Sequence, residues 1–408
     1  MRYISPVAFL IICIAVIGCG RQPVDLQNGI WRGTFQTDST IEIPFNFEIY
    51  DSAGVKQIAF INGKERLNIN EVEVRDDSVF FKTPLYETEI RAQLNNDGLE
   101  GIWLRKLPNL TQRMPFKATH ESDWRFVKEP KPSSADVSGR WSVIFSKANS
   151  NDTTLAIGEF EQDSSMVYGT FLTNYGDYRF LSGELDGDVL RLSAYGGMSP
   201  SMFMATVDGN VMTGDLYSGP SSHSTWEAER DPDAELADAY SLTKLKEGYN
   251  TLSFEFQDTE GNLVSLDDER YQDKVVVLQF LGSWCPNCMD ETAYLSSFYK
   301  KYRDRGVEVI ALAYERYAEI EKAKKAVSNL IDRFDMTYPV LLTGYTNKQV
   351  LESLPAMESF NAFPSTIIIN KEGEVHSIHT GFNGPATGQA YVDYITQFEQ
   401  TINELLNE

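Results

Sequence analysis

From Asn28 to about Asp231, apolar and polar residues alternate in short runs such as Phe45-Asn46-Phe47-Glu48-Ile49, Ser78-Val79-Phe80-Phe81 and Val189-Leu190-Arg191-Leu192. A period of two sends successive side chains to opposite faces of a strand, so these runs predict an all-β region. Between them stand Asn62-Gly63, Asp97-Gly98, Asp186-Gly187 and Asp208-Gly209, dipeptides that supply the positive φ of tight hairpins. After Asp231 the pattern changes. Val275-Val276-Val277-Leu278-Gln279-Phe280 reads as a buried strand, 286–303 as an amphipathic helix and 307–313 as a second buried strand. A Lys/Glu-rich helix follows over 319–334, then strands over 366–369 and 374–379 and a closing helix over 388–406. The charged, Ala-rich stretch after Asp231-Pro232-Asp233 predicts a short helical linker up to about Tyr240.

The β region repeats itself. Gly29-Ile30-Trp31 returns as Gly139-Arg140-Trp141, Asp97-Gly98 as Asp208-Gly209, and Phe116-Lys117-Ala118 as Trp226-Glu227-Ala228. One register kept over so long a stretch points to two copies of one domain. The expected architecture is multidomain: two tandem all-β repeats, each a small barrel or sandwich of seven or eight strands, followed by an α/β unit. The boundaries are 1–18 signal peptide, 19–27 tether, 28–122 first β repeat, 123–136 linker, 137–231 second β repeat, 232–249 linker and 250–408 α/β unit. Pro130-Lys131-Pro132 makes the first linker stiff and extended. A Gly-x-Trp opening the first strand resembles the lipocalin-like barrels. Such a barrel either holds a ligand or is filled by its own side chains, and the filled form, serving as spacer or docking module, is the preferred reading.

The chain has 408 residues, 42% of them hydrophobic and 12% aromatic, enough for packed cores in roughly two to three domains. A net charge of −23 argues against nucleic acid or an anionic lipid surface as a binding target. At the N-terminus, Arg2 precedes an apolar run over 7–17 that is too short to span a bilayer comfortably, and no later run is long enough. Val16-Ile17-Gly18-Cys19 resembles the bacterial lipobox, which implies cleavage before Cys19 and a lipid anchor on that residue; an uncleaved signal anchor is the alternative. Gly20-Arg21-Gln22-Pro23 carries no acidic residue, which favours a periplasm-facing anchor in the cell envelope, in the outer rather than the inner membrane.

Of four cysteines, Cys13 and Cys19 belong to this leader, leaving Cys285 and Cys288 for chemistry in the mature chain. A Cys-x-x-Cys after a buried strand and opening a helix reads as a redox centre. Unpaired N–H groups and the helix dipole stabilise a thiolate there, and Pro286 suits the first helical position. Cys285 is then the exposed nucleophile, and Cys288, one turn on, the resolving thiol.

Residues 250–408 resemble the TlpA/ResA-like family of membrane-anchored thioredoxins. The resemblance rests on a hairpin from Leu252-Ser253-Phe254 to Leu266, the strand leading into Trp284-Cys285-Pro286-Asn287-Cys288, Gly306-Val307-Glu308-Val309-Ile310-Ala311, and Phe363-Pro364-Ser365-Thr366 at the family's cis-proline loop. It implies a thioredoxin fold and a thiol-disulfide oxidoreductase that needs no cofactor beyond the Cys285–Cys288 disulfide. It also implies protein clients, a membrane thiol donor, and cytochrome c maturation as one outlet. Trp284, Pro286 and Phe363 would then flank the client, and Pro364 would place the Phe363 backbone beside Cys285. Gln279 stands where thioredoxin has a buried, titrating Asp; in the ResA-like branch a Glu after the second core strand takes that role, which implies Glu315 as proton acceptor for Cys288. The alternative for Glu315 is a solvated helix-start carboxylate.

Three other readings compete. A Cys2His2 zinc site would need His376 and His379, but residues three apart on a strand face opposite ways. A thiol peroxidase needs Ser or Thr three residues before the nucleophile, where Gly282 stands and Ser283 comes one step late. A client-binding lipoprotein would place the main role in the β repeats.

Overall fold

The structure is a computed structural model that describes residues 26–69, 71–83, 87–148 and 150–408. The expected signal peptide and the anchor at Cys19 lie outside the described residues.

Alternation builds two barrel-like antiparallel sheets. In the first, Trp31, Gly33 and Phe35 of Gly29–Gln36 point inward while their neighbours point out. Among the described residues this sheet has nine strands in meander order. Gly29–Gln36 pairs with Leu110–His120, bringing Trp31 opposite His120 and Phe35 opposite Phe116. The second sheet runs from Gly139–Lys147 to Ser222–Arg230 and closes the same way, with Trp141 opposite Arg230 and Phe145 opposite Trp226. Here Met166–Thr173 pairs with both Thr153–Asp163 and Leu181–Asp186, so the ring of strands is continuous. The described strands number nine in each sheet, against the seven or eight expected; the extra pairing in the second is the two-residue Gly176–Asp177. Each of the four expected hairpin dipeptides overlaps a turn by one residue, the two-residue loops being Gly63-Lys64, Asn96-Asp97, Gly187-Asp188 and Gly209-Asn210.

Aromatic rings fill the barrels, as close packing of interiors requires. Phe35, Phe45 and Phe60 of the first sheet surround Tyr195, which directly follows the strand Val189–Ala194 of the second. Trp103 Nε1 donates to Tyr195 Oη at 3.1 Å, and Asn62 exchanges two 3.1 Å hydrogen bonds with the Tyr195 backbone. The two sheets are thereby fixed to each other.

The 123–136 segment is more than a spacer. Arg125 is 4% exposed and its guanidinium reaches Asn46 Oδ1, the Ile61 carbonyl and Ser193, while its own N–H donates to Glu184. Burial holds the guanidinium down at about 10 and pushes the Glu184 carboxyl up, so for both groups desolvation outweighs their mutual attraction.

The helix expected before Tyr240 is absent. The Ala234 carbonyl accepts instead from Arg140, and the Ala234 side chain is buried with Ile157 and Leu172 on the second sheet. Tertiary contacts override the local propensity.

The α/β unit centres on Val275–Leu281, every residue of which is buried. It pairs in parallel with Val307–Glu315 and antiparallel with Ser365–Ile369. Val340–Thr346, a strand the sequence reading left out, lies parallel to Val307–Glu315. The hairpin Glu255–Asp258 and Leu263–Ser265 extends that edge, and Val375–Thr380 forms the other. Helix α1, Pro286–Tyr302, packs Cys288, Thr292 and Leu295 inward, and α2, Ile320–Phe334, packs Ala323, Val327 and Leu330. Among the described residues no helix is long and apolar enough to cross a membrane.

Candidate active site

The buried strand Val275–Leu281 ends against α1, whose N-cap is Cys285 with Pro286 at the first helical position. Cys285 and Cys288 form a disulfide with Cα atoms 5.3 Å apart. The Cys288 N–H donates to Cys285 Sγ at 3.2 Å, so one of the helix's orphan donors is already aimed at this sulfur. On the other side, Cys285 Sγ lies 3.5 Å from the Phe363 carbonyl oxygen, and the Phe363–Pro364 peptide is cis. Trp284 crosses the Phe363 ring edge-on at 5.4 Å, donates from Nε1 to the Tyr314 carbonyl, and carries the Arg316 guanidinium over its face. The expected residues Trp284, Cys285, Pro286, Cys288, Glu315, Phe363 and Pro364 thus meet at one place.

One expectation is corrected. Cys285 is only 4% exposed and Cys288 is fully buried, so the nucleophile does not stand open to solvent. The second β sheet packs its 174–179 segment around this end of α1, with the Asp177 backbone held on Asn287 between the two cysteines.

Two carboxyl groups flank the motif. Glu315 is 3% exposed and accepts from both the N–H and the hydroxyl of Ser283, at 2.7 and 2.8 Å. It is therefore no solvated helix-start residue, and burial raises its pKa. Its partner, Ser283, precedes Trp284-Cys285. The second group, Glu291, was not singled out from the sequence. It lies one turn beyond Cys288 on α1, 1% exposed, and accepts from Gln279 Nε2 at 2.9 Å and Thr366 Oγ1 at 2.6 Å. Gln279 is satisfied in turn by Thr292 and by the Tyr338 hydroxyl. The position that carries no charge on the strand is thus wired to an acid on the helix. A readable signal existed: Cys288, Glu291, Thr292 and Leu295 follow the i, i+3, i+4, i+7 rule of a buried face, where a Glu is an anomaly.

Burial pushes the Glu291 carboxyl up to about 7, against 4.5 ordinarily. Between those values the folded chain holds a proton that the unfolded chain has released, so stability falls as pH rises through the window and levels off above it. Glu291→Gln removes this slope, its oxygen still accepting from Gln279 and its NH2 donating to the Thr366 hydroxyl, as the protonated acid does. From pH 4.5 to 7.5 the variant should gain on the order of 3 kcal/mol relative to the parent, read from urea unfolding. A constant difference across the range would contradict the assignment.

The histidine pair of the zinc reading is split. His376 is exposed, whereas His379 Nδ1 bonds the Gly381 carbonyl and its ring packs against Tyr240 and Tyr394. Among the described residues no three His, Cys, Asp or Glu side chains gather as metal ligands.

A disulfide at the N-terminus of the first helix, faced by the Phe363 carbonyl of the cis Phe363–Pro364 peptide, on a sheet with a parallel central strand pair, defines a thioredoxin-fold disulfide oxidoreductase. Such enzymes work with a redox-active cysteine pair and need no cofactor.

The comparisons agree. Residues 246–393 match the Redoxin family. The thiol-disulfide oxidoreductase ResA of Bacillus subtilis is 32% identical over 137 residues, covering 34% of this chain and 69% of the relative. ResA of Bacillus cereus is 29% identical over 153 residues, covering 38% and 80%. Among solved structures, a thiol:disulfide interchange protein DsbE from Chlorobium tepidum aligns with a TM-score of 0.31 at 21% identity, covering 40% of this chain and 99% of that one. The chain belongs to the ResA family of thiol-disulfide oxidoreductases through its C-terminal α/β unit.

Proposed function

We propose that this protein is a lipid-anchored, extracytoplasmic reductase of disulfides in exported proteins, acting through Cys285 and Cys288. The observation that carries the reading is the cysteine pair capping α1 beside Phe363–Pro364. In the reduced state the Cys285 thiolate attacks one sulfur of a client disulfide, and the other client sulfur leaves as a thiolate and takes a proton. Cys288 then loses its proton and attacks Cys285 Sγ, releasing the second client thiol. The client gains two electrons and two protons, the protein is left as the disulfide, and a membrane dithiol donor restores it. Phe363 and Pro364 offer a backbone edge to an extended client, while Trp284 and Pro286 wall the sulfur. Glu291, on the Cys288 side, exchanges the proton of the resolving thiol, and Glu315 positions the Ser283 loop that carries Trp284 and Cys285. Cytochrome c apoproteins are one class of client.

The β region is proposed as two copies of one filled barrel that set the redox unit apart from the anchor at Cys19. Matched details support the duplication. Trp31 and Trp141 each donate from Nε1 to the carbonyl four residues earlier, at 3.1 and 2.9 Å, and each opens the strand that closes its sheet.

The reading is tested by offering the reduced full chain either a protein disulfide or hydrogen peroxide, with thiol oxidation followed in both. Oxidation by the protein disulfide should be faster by at least about a hundredfold, since the oxidising partner must dock beside Phe363. Faster consumption of peroxide would favour a peroxidase.

A further inference from the structure

Segment 174–179 links Met166–Thr173 to Leu181–Asp186 of the second β sheet and touches the redox unit at four points. The Asn287 carboxamide donates to the Asp177 carbonyl and accepts from its N–H, both at 3.1 Å, as a neighbouring strand would. Gly176, at φ +137°, lies so close that a Cβ there would overlap the Asn287 carboxamide. The Asp177 carboxylate accepts from the Gly384 N–H at 2.6 Å. Gly381, whose N–H donates to the Pro364 carbonyl, abuts the backbone of Asn174 and Tyr175. Beyond the turn, Arg179 bridges Asp290 of α1 and Glu65 of the first sheet. The segment therefore lies against the first turn of α1 and against the 381–384 loop that hydrogen-bonds the Pro364 carbonyl, bordering the two edges a client must meet.

These ties differ in kind from those that join the β sheets. Tyr195 seals the two sheets inside an aromatic core, whereas the ties of 174–179 to the redox unit are hydrogen bonds and one ion pair, which a client backbone can replace. Apolar contact between the second sheet and the redox unit lies elsewhere, where Ala390 meets the cluster of Ile157, Leu172 and Ala234. On its own sheet the tip, 174–177, is held by a two-residue pairing and by Thr173 Oγ1 on the Gly176 carbonyl, while Tyr178 anchors the next residue, its N–H on the Phe171 carbonyl and its ring among Phe145, Phe171 and Phe203. The tip can swing about this anchor without the domains parting.

We propose that segment 174–179 is a built-in occupant of the client-docking face, a gate that keeps the dithiol closed until a client displaces it. The proposal rests on the reading of Cys285 as the attacking thiol. It concerns access alone, and so can be tested without a client.

The test is the labelling rate of the reduced full chain with a bulky maleimide. Gly176→Val, which forces the loop off Asn287, should speed labelling by about tenfold, because reactivity scales with the open fraction. Gly187→Val places the same residue at another positive-φ glycine of that sheet, at a hairpin tip with nothing within 4 Å, and should leave the rate at the parent's value. Arg179→Gln loosens the same loop from the other end and should act in the same direction, which keeps the test valid should Gly176→Val not fold. Parental rates in both loop variants would overturn the gate and leave the redox reading standing. Labelling that persists at the parental rate in Cys285→Ser would instead overturn the reading of Cys285.

Discussion

Replacing Cys285 by Ser is expected to lower disulfide reduction by at least about a thousandfold, while Cys288→Ser stops after one half-reaction and accumulates a client-linked form. The asymmetry follows from placement. Cys285 caps α1, takes a backbone N–H from Cys288 and faces the Phe363 carbonyl, whereas Cys288 is fully buried one turn inside the helix. A buried thiol reaches only the sulfur beside it, so it can resolve a mixed disulfide but not start one. Insulin reduction followed by turbidity measures the first effect, and non-reducing electrophoresis the second. Equal turnover in the two single variants would contradict the order of attack.

The second large effect concerns stability. Arg125→Ala should cost on the order of 3–5 kcal/mol, because it removes the buried cation that offsets the Glu184 carboxylate and leaves Asn46 Oδ1 and the Ile61 and Ser193 carbonyls, on both sheets, short of a donor. Arg75→Ala, at an ion pair with Glu73 whose arginine side chain is 69% exposed, should stay within about 1 kcal/mol. Urea unfolding followed by tryptophan fluorescence compares them directly. Similar small losses for both would mean that the sheets do not depend on the 123–136 segment.

Much of the redox unit was legible in the chain because its signals are local. An apolar run broken only by Gln279, a Pro at the first helical position and a Cys-x-x-Cys fix a strand, a helix start and a redox pair within fifteen residues of one another. The hairpins of the β region were legible for the same reason, since a glycine such as Gly187 marks its turn to within one residue. What escaped depends on partners distant in sequence. Val340–Thr346 offers three apolar residues before Thr343 and Gly344, too few to signal a buried strand, and gains its place by pairing with Val307–Glu315. Glu291 acquires its meaning from Gln279 and Thr366. Arg125 looked like linker composition, yet its partners lie on both sheets. The burial of Cys285 could not be foreseen, because it depends on Phe363, 78 residues further along the chain.

The most direct measurement is made on reduced Cys288→Ser exposed to a disulfide-bonded client, with the adduct digested and sequenced by mass spectrometry. The expected result is a single linkage, from Cys285 to a client cysteine. An absence of adduct from a folded, fully reduced variant would contradict the central claim that Cys285 opens client disulfides.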